Sequence, residues 1–490
     1  MPNLDQGLKP IRIGLDLDNT IIYFDNVFCE IARQTRLIPK SFTANKQGVK
    51  NKILEGLDGE AKWRRLQGQV YGSGISRATL MPGVAWFLYR CRAKNIPIFI
   101  VSHKTKYGHH DSAKIDLRKS AMNWLEFHRF FDPEHFGLSR ENIYFEPSLA
   151  LKVKRIADLR PTYFVDDLLK VFQQRKFPTD TRKLLYIPDR IIHETDPDIE
   201  QYVNWLEIAN CVLDEESDND ILYVAGKIKS DITFSKCVQI SRGGNSVTYK
   251  LIDIDNNKYC LKRYPLEQGG VRNRLSIEYG VCNFLRSNHI NVVPKPIAAD
   301  ENTNIGIYEW LCGQPVERPV KKDLQQIINF IKNIQELKNS KEASKLPTAS
   351  EACLSGSAIL NQISYRRLRL NELGTRHSNL QAHLVECFDP LLLRTEKWLV
   401  DHWPVGGSID ECLSKEYQIL SPADYGFHNV LKRHDRLYFI DHEYFGWDDP
   451  TKLVSEFCWH PAMRLTRYMK SLWWDTMSEL FSRDPGFLDR

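Results

Sequence analysis

No run of about eighteen apolar residues occurs anywhere in this 490-residue chain, so the sequence offers no membrane-spanning helix. Residues 1–10 lack the apolar core of a signal peptide. The eleven cysteines are scattered from Cys29 to Cys458, with no Cys-x-x-Cys pair and no Cys/His cluster at zinc spacing, which argues against structural zinc and a disulfide framework. They read as buried thiols in a reducing compartment, and the expected location is the cytoplasm. The formal net charge of +5 is small for this length. No dense Lys/Arg block stands out, so charge gives no footprint for nucleic acid. Internal repeats and low-complexity tracts are also missing. What is there is ordinary globular material, 42% hydrophobic and 26% charged, enough for two to three domains.

From residue 11 to 188, short apolar runs alternate with helical patterns, the rhythm of a parallel sheet covered by helices. Strands are expected at 11–17, 96–101, 162–165 and 183–187. Residues 20–80 are mostly polar and helical, which suits an inserted cap better than another strand and helix. Pro82 opens a helix running to Lys94. After Ile187 the composition turns polar, and a helical stretch to Leu213 and an acidic patch at 215–220 mark a junction. Residues 236–263 are β-rich around a Gly243-Gly244-Asn245 turn. From Leu324 onward the pattern is mainly helical.

Asp16-Leu17-Asp18-Asn19-Thr20 follows directly on the first apolar strand, so its side chains should emerge at the carboxyl end of a parallel sheet, where such sheets bind ligands. Two carboxylates at i and i+2 can serve one phosphorus centre. Asp16 would be the nucleophile, forming an aspartyl-phosphate, and Asp18 the acid and base for the leaving and attacking oxygens. Asp166 and Asp167, just past another apolar strand, are candidates to hold Mg²⁺. Ser102 follows the strand at 96–101 and can bond a phosphate oxygen. Lys152 or Lys154, on one expected helix, could neutralise charge that develops there. His103, His109 and His110 read as a polar cap or substrate loop in preference to a metal site.

These motifs, in this order over about residues 10–190, resemble the haloacid dehalogenase-like phosphohydrolases, with their Asp-x-Asp-x-Thr, Ser or Thr after a later strand, Lys, and late acidic pair. The resemblance implies a Rossmann-like parallel sheet with a helical cap at about 21–80. It also implies catalysis by Asp16, Asp18 and Lys152, phosphate binding by Thr20 and Ser102, and Mg²⁺ held by Asp16, Asp166 and Asp167.

In the C-terminal half, the Gly243-Gly244-Asn245 turn suits close approach of backbone to nucleotide phosphates. Lys262 on the next strand and Glu278 on the following helix have the form of a phosphate lysine steadied by a helical glutamate. Ile307-Tyr308-Glu309-Trp310-Leu311, leading into Gly313, has the form of a hinge whose backbone could bond adenine. In Asp424-Tyr425-Gly426-Phe427-His428-Asn429 an acid and an amide are spaced to put a catalytic base and a metal ligand on one loop. The apolar run ending at Ile440 then delivers Asp441, with Glu443 close behind.

Over about residues 236–465 this half resembles the aminoglycoside and choline phosphotransferase families, relatives of protein kinases. The likeness extends to Ile440-Asp441-His442-Glu443-Tyr444 and the trailing Gly446-Trp447-Asp448-Asp449-Pro450. It implies a bilobal protein-kinase-like fold that uses ATP and Mg²⁺. Asp424 would orient or deprotonate the acceptor hydroxyl, and Asn429 and Asp441 would hold Mg²⁺. Lys262 would contact the nucleotide phosphates with Glu278 as its partner, Gly243, Gly244 and Asn245 would cover them, and Glu309 and Leu311 would meet the adenine. One residue departs from the pattern: the usual His two positions before the catalytic Asp is Pro422.

The expected architecture is therefore α/β plus α+β, with a phosphatase domain at 1–195, a linker at 196–221 and a kinase-like domain at 222–490, its small lobe at 222–312 and its large lobe at 313–490. Two phosphoryl-handling sites of opposite direction suggest a Mg²⁺-dependent phosphomonoesterase joined to an ATP-dependent small-molecule kinase. A sugar, alditol or related hydroxylated metabolite would suit both. A nucleic-acid end-processing phosphatase/kinase is the first alternative, but it calls for a Gly-x-x-x-x-Gly-Lys-Ser/Thr loop and a basic groove, and neither is seen. The second is a protein kinase or a kinase-like regulator of the phosphatase, against which stands the short stretch after Asp441. A degenerate fold kept only for binding is disfavoured because every charged catalytic role is filled.

Overall fold

The computed structural model describes residues 10–108, 114–188, 194–242, 246–265, 273–403, 408–460 and 463–488. The chain divides into two compact units, Met1–Arg272 with Ala298–Ile307, and Asn273–Ile297 with Tyr308–Arg490.

The first unit is built on a six-stranded sheet whose order is Ile143–Glu146, Ile98–His103, Ile13–Leu15, Tyr163–Asp166, Arg182–Tyr186, Ile199–Tyr202. Every neighbouring pair in it is parallel. Ile13, Leu15, Ile100, Val101, Phe164, Val165, Leu184 and Leu185 are buried, as near-continuous apolar strands covered on both faces must be. Counted along the chain, the order is third, second, first, fourth, fifth, sixth. It reverses at Ile13–Leu15, so the loops leaving Leu15 and Asp166 lie where a parallel sheet offers a ligand crevice.

The four expected strands are present. The two outer strands, Ile143–Glu146 and Ile199–Tyr202, were not expected. Both are mostly only partly buried.

Between the first two sheet strands, Ile22–Tyr23 pairs antiparallel with Thr79–Leu80 and closes an insertion at its base. Helices Asp25–Gln34, Lys46–Leu54 and Gly59–Tyr71 fill it. Its small core stacks Phe28 on Trp63 at 5.1 Å and sets Phe24 edge-on to Tyr71 at 4.9 Å.

The segment expected to be a linker is structured. It supplies the sixth sheet strand and helix Trp205–Leu213, followed by helix Asp218–Ile228. Both helices pack on Val84–Ala93. Ser217 and Asp220 form a capping box at the start of the second helix, and Asp220 also accepts from the buried Arg90 at 3.2 Å. A second sheet follows, in the order Pro296–Asp300, Ile305–Glu309, Lys258–Arg263, Val247–Asp253, Phe234–Arg242. The compact division groups most of it with the first unit.

The second unit has a separate core. Helix Lys321–Glu336 buries Leu324, Ile327, Ile328, Ile331 and Ile334, one stripe at helical spacing. Phe330 from the same helix stacks on Phe439 at 3.8 Å, which ties it to the strand pair Val430–Arg433 and Arg436–Phe439. Helices Pro450–Trp459 and Arg467–Leu480 complete this core through Phe457 and Trp473. Among the described residues, no helix is long and apolar enough to cross a membrane.

Candidate functional site

In the first unit, the chain turns sharply after Leu15. The Ile21 and Ile22 amides both donate to the Leu17 carbonyl, and Asn19 takes φ 60°, a left-handed conformation that Asn tolerates better than most residues. The turn holds Asp16 and Thr20 buried. Lys152 Nζ donates to Asp16 Oδ1 at 2.5 Å and to Asp166 Oδ2 at 2.6 Å, whereas Lys154 is exposed. Of the two lysines, Lys152 is the one that reaches the acidic group.

Oxygens of Asp16, Asp166 and Asp167 lie within 4.8 Å of one another. Among the described residues, Asp18 Oδ1, Thr20 Oγ1 and Asp167 Oδ1 are buried without a hydrogen-bond partner. Buried polar atoms in native proteins are rarely left so. An all-oxygen cluster with an unsatisfied carboxylate oxygen fits a hard divalent cation such as Mg²⁺. Burial pushes the Asp16 carboxyl well above the usual range, against the opposing pull of Lys152. Burial and the neighbouring Asp166 push Asp167 up to about 7.

Sequence reading missed two cations here. Lys104 Nζ, buried, donates to Asp18 Oδ2 at 2.7 Å; its position two residues beyond Ser102 at a strand end was the available signal. Lys46 comes from the cap, lying over Phe28 and Tyr71. Although burial opposes its charge, Tyr71, Asp167 and Asp18 hold its ammonium above the ordinary lysine range. Only the folding of the cap brings it there, and no local pattern marks it. Ser102 is buried at the end of Ile98–His103. A cavity of about 210 Å³ lies between cap and sheet, lined by Asp18, Arg64, Tyr71, His103 and Lys104 among others.

In the second unit, Asp424 sits on a loop between strand Ile419–Ser421 and the short turn Phe427–Asn429. Ser421 Oγ accepts from the Ala423 amide at 3.1 Å, and Ala423 takes φ 57°. Asn429 Nδ2 donates to the Asp424 carbonyl at 2.7 Å. These two bonds brace the loop after Pro422, and they leave the Asn429 amide oxygen as the atom a cation could use.

Asp424 itself is half-exposed, and its Oδ1 lies 2.6 Å from His428 Nε2. That hydrogen bond holds its carboxyl below the ordinary range, with burial opposing. His428 stacks on His460, ring centroids 4.8 Å apart. Neither histidine was singled out in the sequence.

Asp441, at φ 69°, shares a cluster within 4.8 Å with Glu278 and Glu443. Arg274 donates to Glu443 at 3.1 Å. This oxygen-only set also suits a hard cation. Asp448 and Asp449 are structural: Asp448 takes the Lys452 ammonium at 3.1 Å and the Cys353 amide, and Asp449 caps helix Pro450–Trp459.

Lys262, on Lys258–Arg263 opposite Thr248, belongs to the first unit and Glu278 to the second. The Glu309 amide is committed to the Lys295 carbonyl at 2.8 Å and its carboxylate to Arg286 at 3.0 Å, so adenine could use only its carbonyl there. Leu311 follows, partly buried. At Gly313 an added Cβ would lie 2.9 Å from that of Leu431, so glycine permits the approach of Gln314–Pro315 to Val430–Arg433. Gly243, Gly244, Asn245, His109 and His110 lie outside the described residues.

No curated protein matches the chain. Among solved structures, macrolide 2'-phosphotransferase from Brachybacterium faecium is 14% identical, covering 53% of this chain and 82% of its own, with a TM-score of 0.37. Choline kinase from Cryptosporidium parvum is 15% identical over 54% and 79%, with a TM-score of 0.36. Plasmodium vivax ethanolamine kinase is 16% identical over 55% and 77%, with a TM-score of 0.35. The C-terminal part of the chain, residues 236–452, matches the phosphotransferase enzyme family, and Asp424, Asn429 and Asp441 all fall inside the match.

Proposed function

We propose that the chain joins a Mg²⁺-dependent phosphomonoesterase to an ATP-dependent small-molecule kinase with a bilobal, protein-kinase-like fold. The observation that carries the reading is the phosphotransferase match enclosing the Asp424, Asn429 and Asp441 set. The phosphatase half rests on the buried Asp16, Lys152 and Asp166 constellation at the reversal point of a Rossmann-like sheet.

In the kinase site, Asp424 takes the proton of the acceptor hydroxyl as the acceptor oxygen attacks the γ-phosphorus of ATP, the bond to the β,γ-bridging oxygen breaks and ADP leaves. By the resemblance, Lys262 would contact the nucleotide phosphates, and the Glu309 carbonyl and Leu311 backbone would meet adenine. Asn429 and Asp441 hold Mg²⁺, with Glu278 and Glu443 beside Asp441. In the phosphatase site, an Asp16 oxygen attacks phosphorus and the ester oxygen leaves with a proton from Asp18, giving an aspartyl-phosphate that water then hydrolyses. Thr20 and Ser102 bond the phosphate oxygens, and Lys152 balances their charge. Asp16, Asp166 and Asp167 would hold Mg²⁺, which would supply further neutralisation of charge on the transferring group. The acceptor is a sugar, alditol or related hydroxylated metabolite.

The test is a metabolite screen of wild type, Asp16→Asn and Asp424→Asn in parallel. Asp16→Asn should lose phosphate release alone, and Asp424→Asn ATP-dependent transfer alone. If wild type releases no phosphate from any monoester and consumes no ATP with any hydroxylated metabolite, the reading fails.

A further inference from the structure

Two imidazoles from separate elements converge on one carboxylate beside the proposed kinase chemistry. His428 belongs to the turn Phe427–Asn429, and His460 follows the end of helix Pro450–Trp459. One ligand atom from each of Asp424, His428 and His460 lies within 4.8 Å of the others, and all three side chains are solvent-accessible. The rings are nearly parallel, at 16°. Gly426 leaves room for the imidazole: a Cβ there would lie 2.6 Å from Cε1 and Nδ1 of His428.

We propose that Asp424, His428 and His460 form a binding site for a borderline divalent transition cation of the Zn²⁺ class, and that its occupancy stops phosphoryl transfer. Two imidazole nitrogens and one carboxylate oxygen, with the remaining positions open to water, are a donor set that Zn²⁺ takes readily. Mg²⁺ and Ca²⁺ prefer oxygen alone and belong at the acidic clusters instead. The cation takes the place of the hydrogen bond between His428 Nε2 and Asp424 Oδ1. With Oδ1 bound to metal, Asp424 loses most of its basicity toward the hydroxyl proton. This consequence rests on the kinase reading; the binding itself does not.

Full-length protein, stripped with a chelator and returned to Mg²⁺, is titrated with Zn²⁺ by calorimetry and with Co²⁺ by visible absorption. One equivalent should bind with the intense spectrum of a four-coordinate site. His428→Ala and His460→Ala should each weaken it by more than the ~10–100-fold typical of outer-shell changes, while Asp166→Asn leaves it intact. Zn²⁺ should inhibit ATP-dependent turnover of wild type, and whatever turnover His460→Ala retains should resist that inhibition. Binding undiminished in both histidine variants, or no Zn²⁺ binding in excess Mg²⁺, overturns the site. Binding lost in those variants with wild-type turnover unaffected by bound Zn²⁺ overturns the inhibitory role. A protein that binds Zn²⁺ as described yet never consumes ATP sinks the kinase reading and leaves the metal site standing.

Discussion

Only 1% of the Lys152 side chain is exposed. Burial opposes its charge, and the carboxylates of Asp16 and Asp166 outweigh that cost and keep the ammonium protonated. Removing the lysine would strand two buried carboxylates, which for a buried ion pair costs about 3–5 kcal/mol. Lys152→Met should therefore lower the urea midpoint markedly and abolish phosphate release. Lys154→Ala, on the exposed side of the same helix, should stay within about 0.5 kcal/mol.

Asp167 yields a pH prediction. Its folded pKa of about 7 lies above the ordinary carboxylate value of about 4. Between those values the folded state binds more protons than the unfolded chain, so stability falls as pH rises. Metal-free protein should melt lower at pH ~8 than at pH ~5 on this group's account, Asp167→Asn should flatten the slope, and Mg²⁺ should raise the melting temperature more at the higher pH. A thermal melt series in EDTA and in Mg²⁺ reads all three.

At the scale of elements, the central strands were legible because burial on both faces forces unbroken apolar runs. Ile98–His103 and Tyr163–Asp166 declare themselves that way. The outer strand Ile199–Tyr202 did not: it reads Ile-Glu-Gln-Tyr, with polar residues between. The polar insertion with its helices was legible from the break in alternation, and its closing pair, Ile22–Tyr23 with Thr79–Leu80, was too short to leave a pattern. The candidate site divides in the same manner. Asp16, Asp166, Asp424 and Asp441 follow apolar strands and could be found by position alone. Lys46, His428 and His460 reach their partners only through packing, and the choice of Lys152 over Lys154 depended on which face of one helix is buried.

For the molecule as a whole, the most consequential departure is that residues 196–221 are built into the first unit. Trp205 is buried there, its ring 5.0 Å from Phe87 and 5.9 Å from Tyr186. Its indole nitrogen donates to the Thr20 carbonyl at 3.1 Å, so a residue outside the domain drawn from sequence holds the proposed phosphate loop from behind. A tether would be indifferent to substitution, within about 0.5 kcal/mol. A core residue would not: Trp205→Ala should cost about 3–5 kcal/mol, which for a unit of this size lowers the melting transition by on the order of 10 °C. Phosphate release should decline with it, because the Thr20 carbonyl loses its donor and the turn bearing Asp16 and Asp18 loses its support. Trp205→Phe, which keeps much of the volume and lacks the N–H, separates the two effects: stability should largely return while phosphate release stays impaired. Wild-type melting and turnover in Trp205→Ala would restore the segment to the status of a linker.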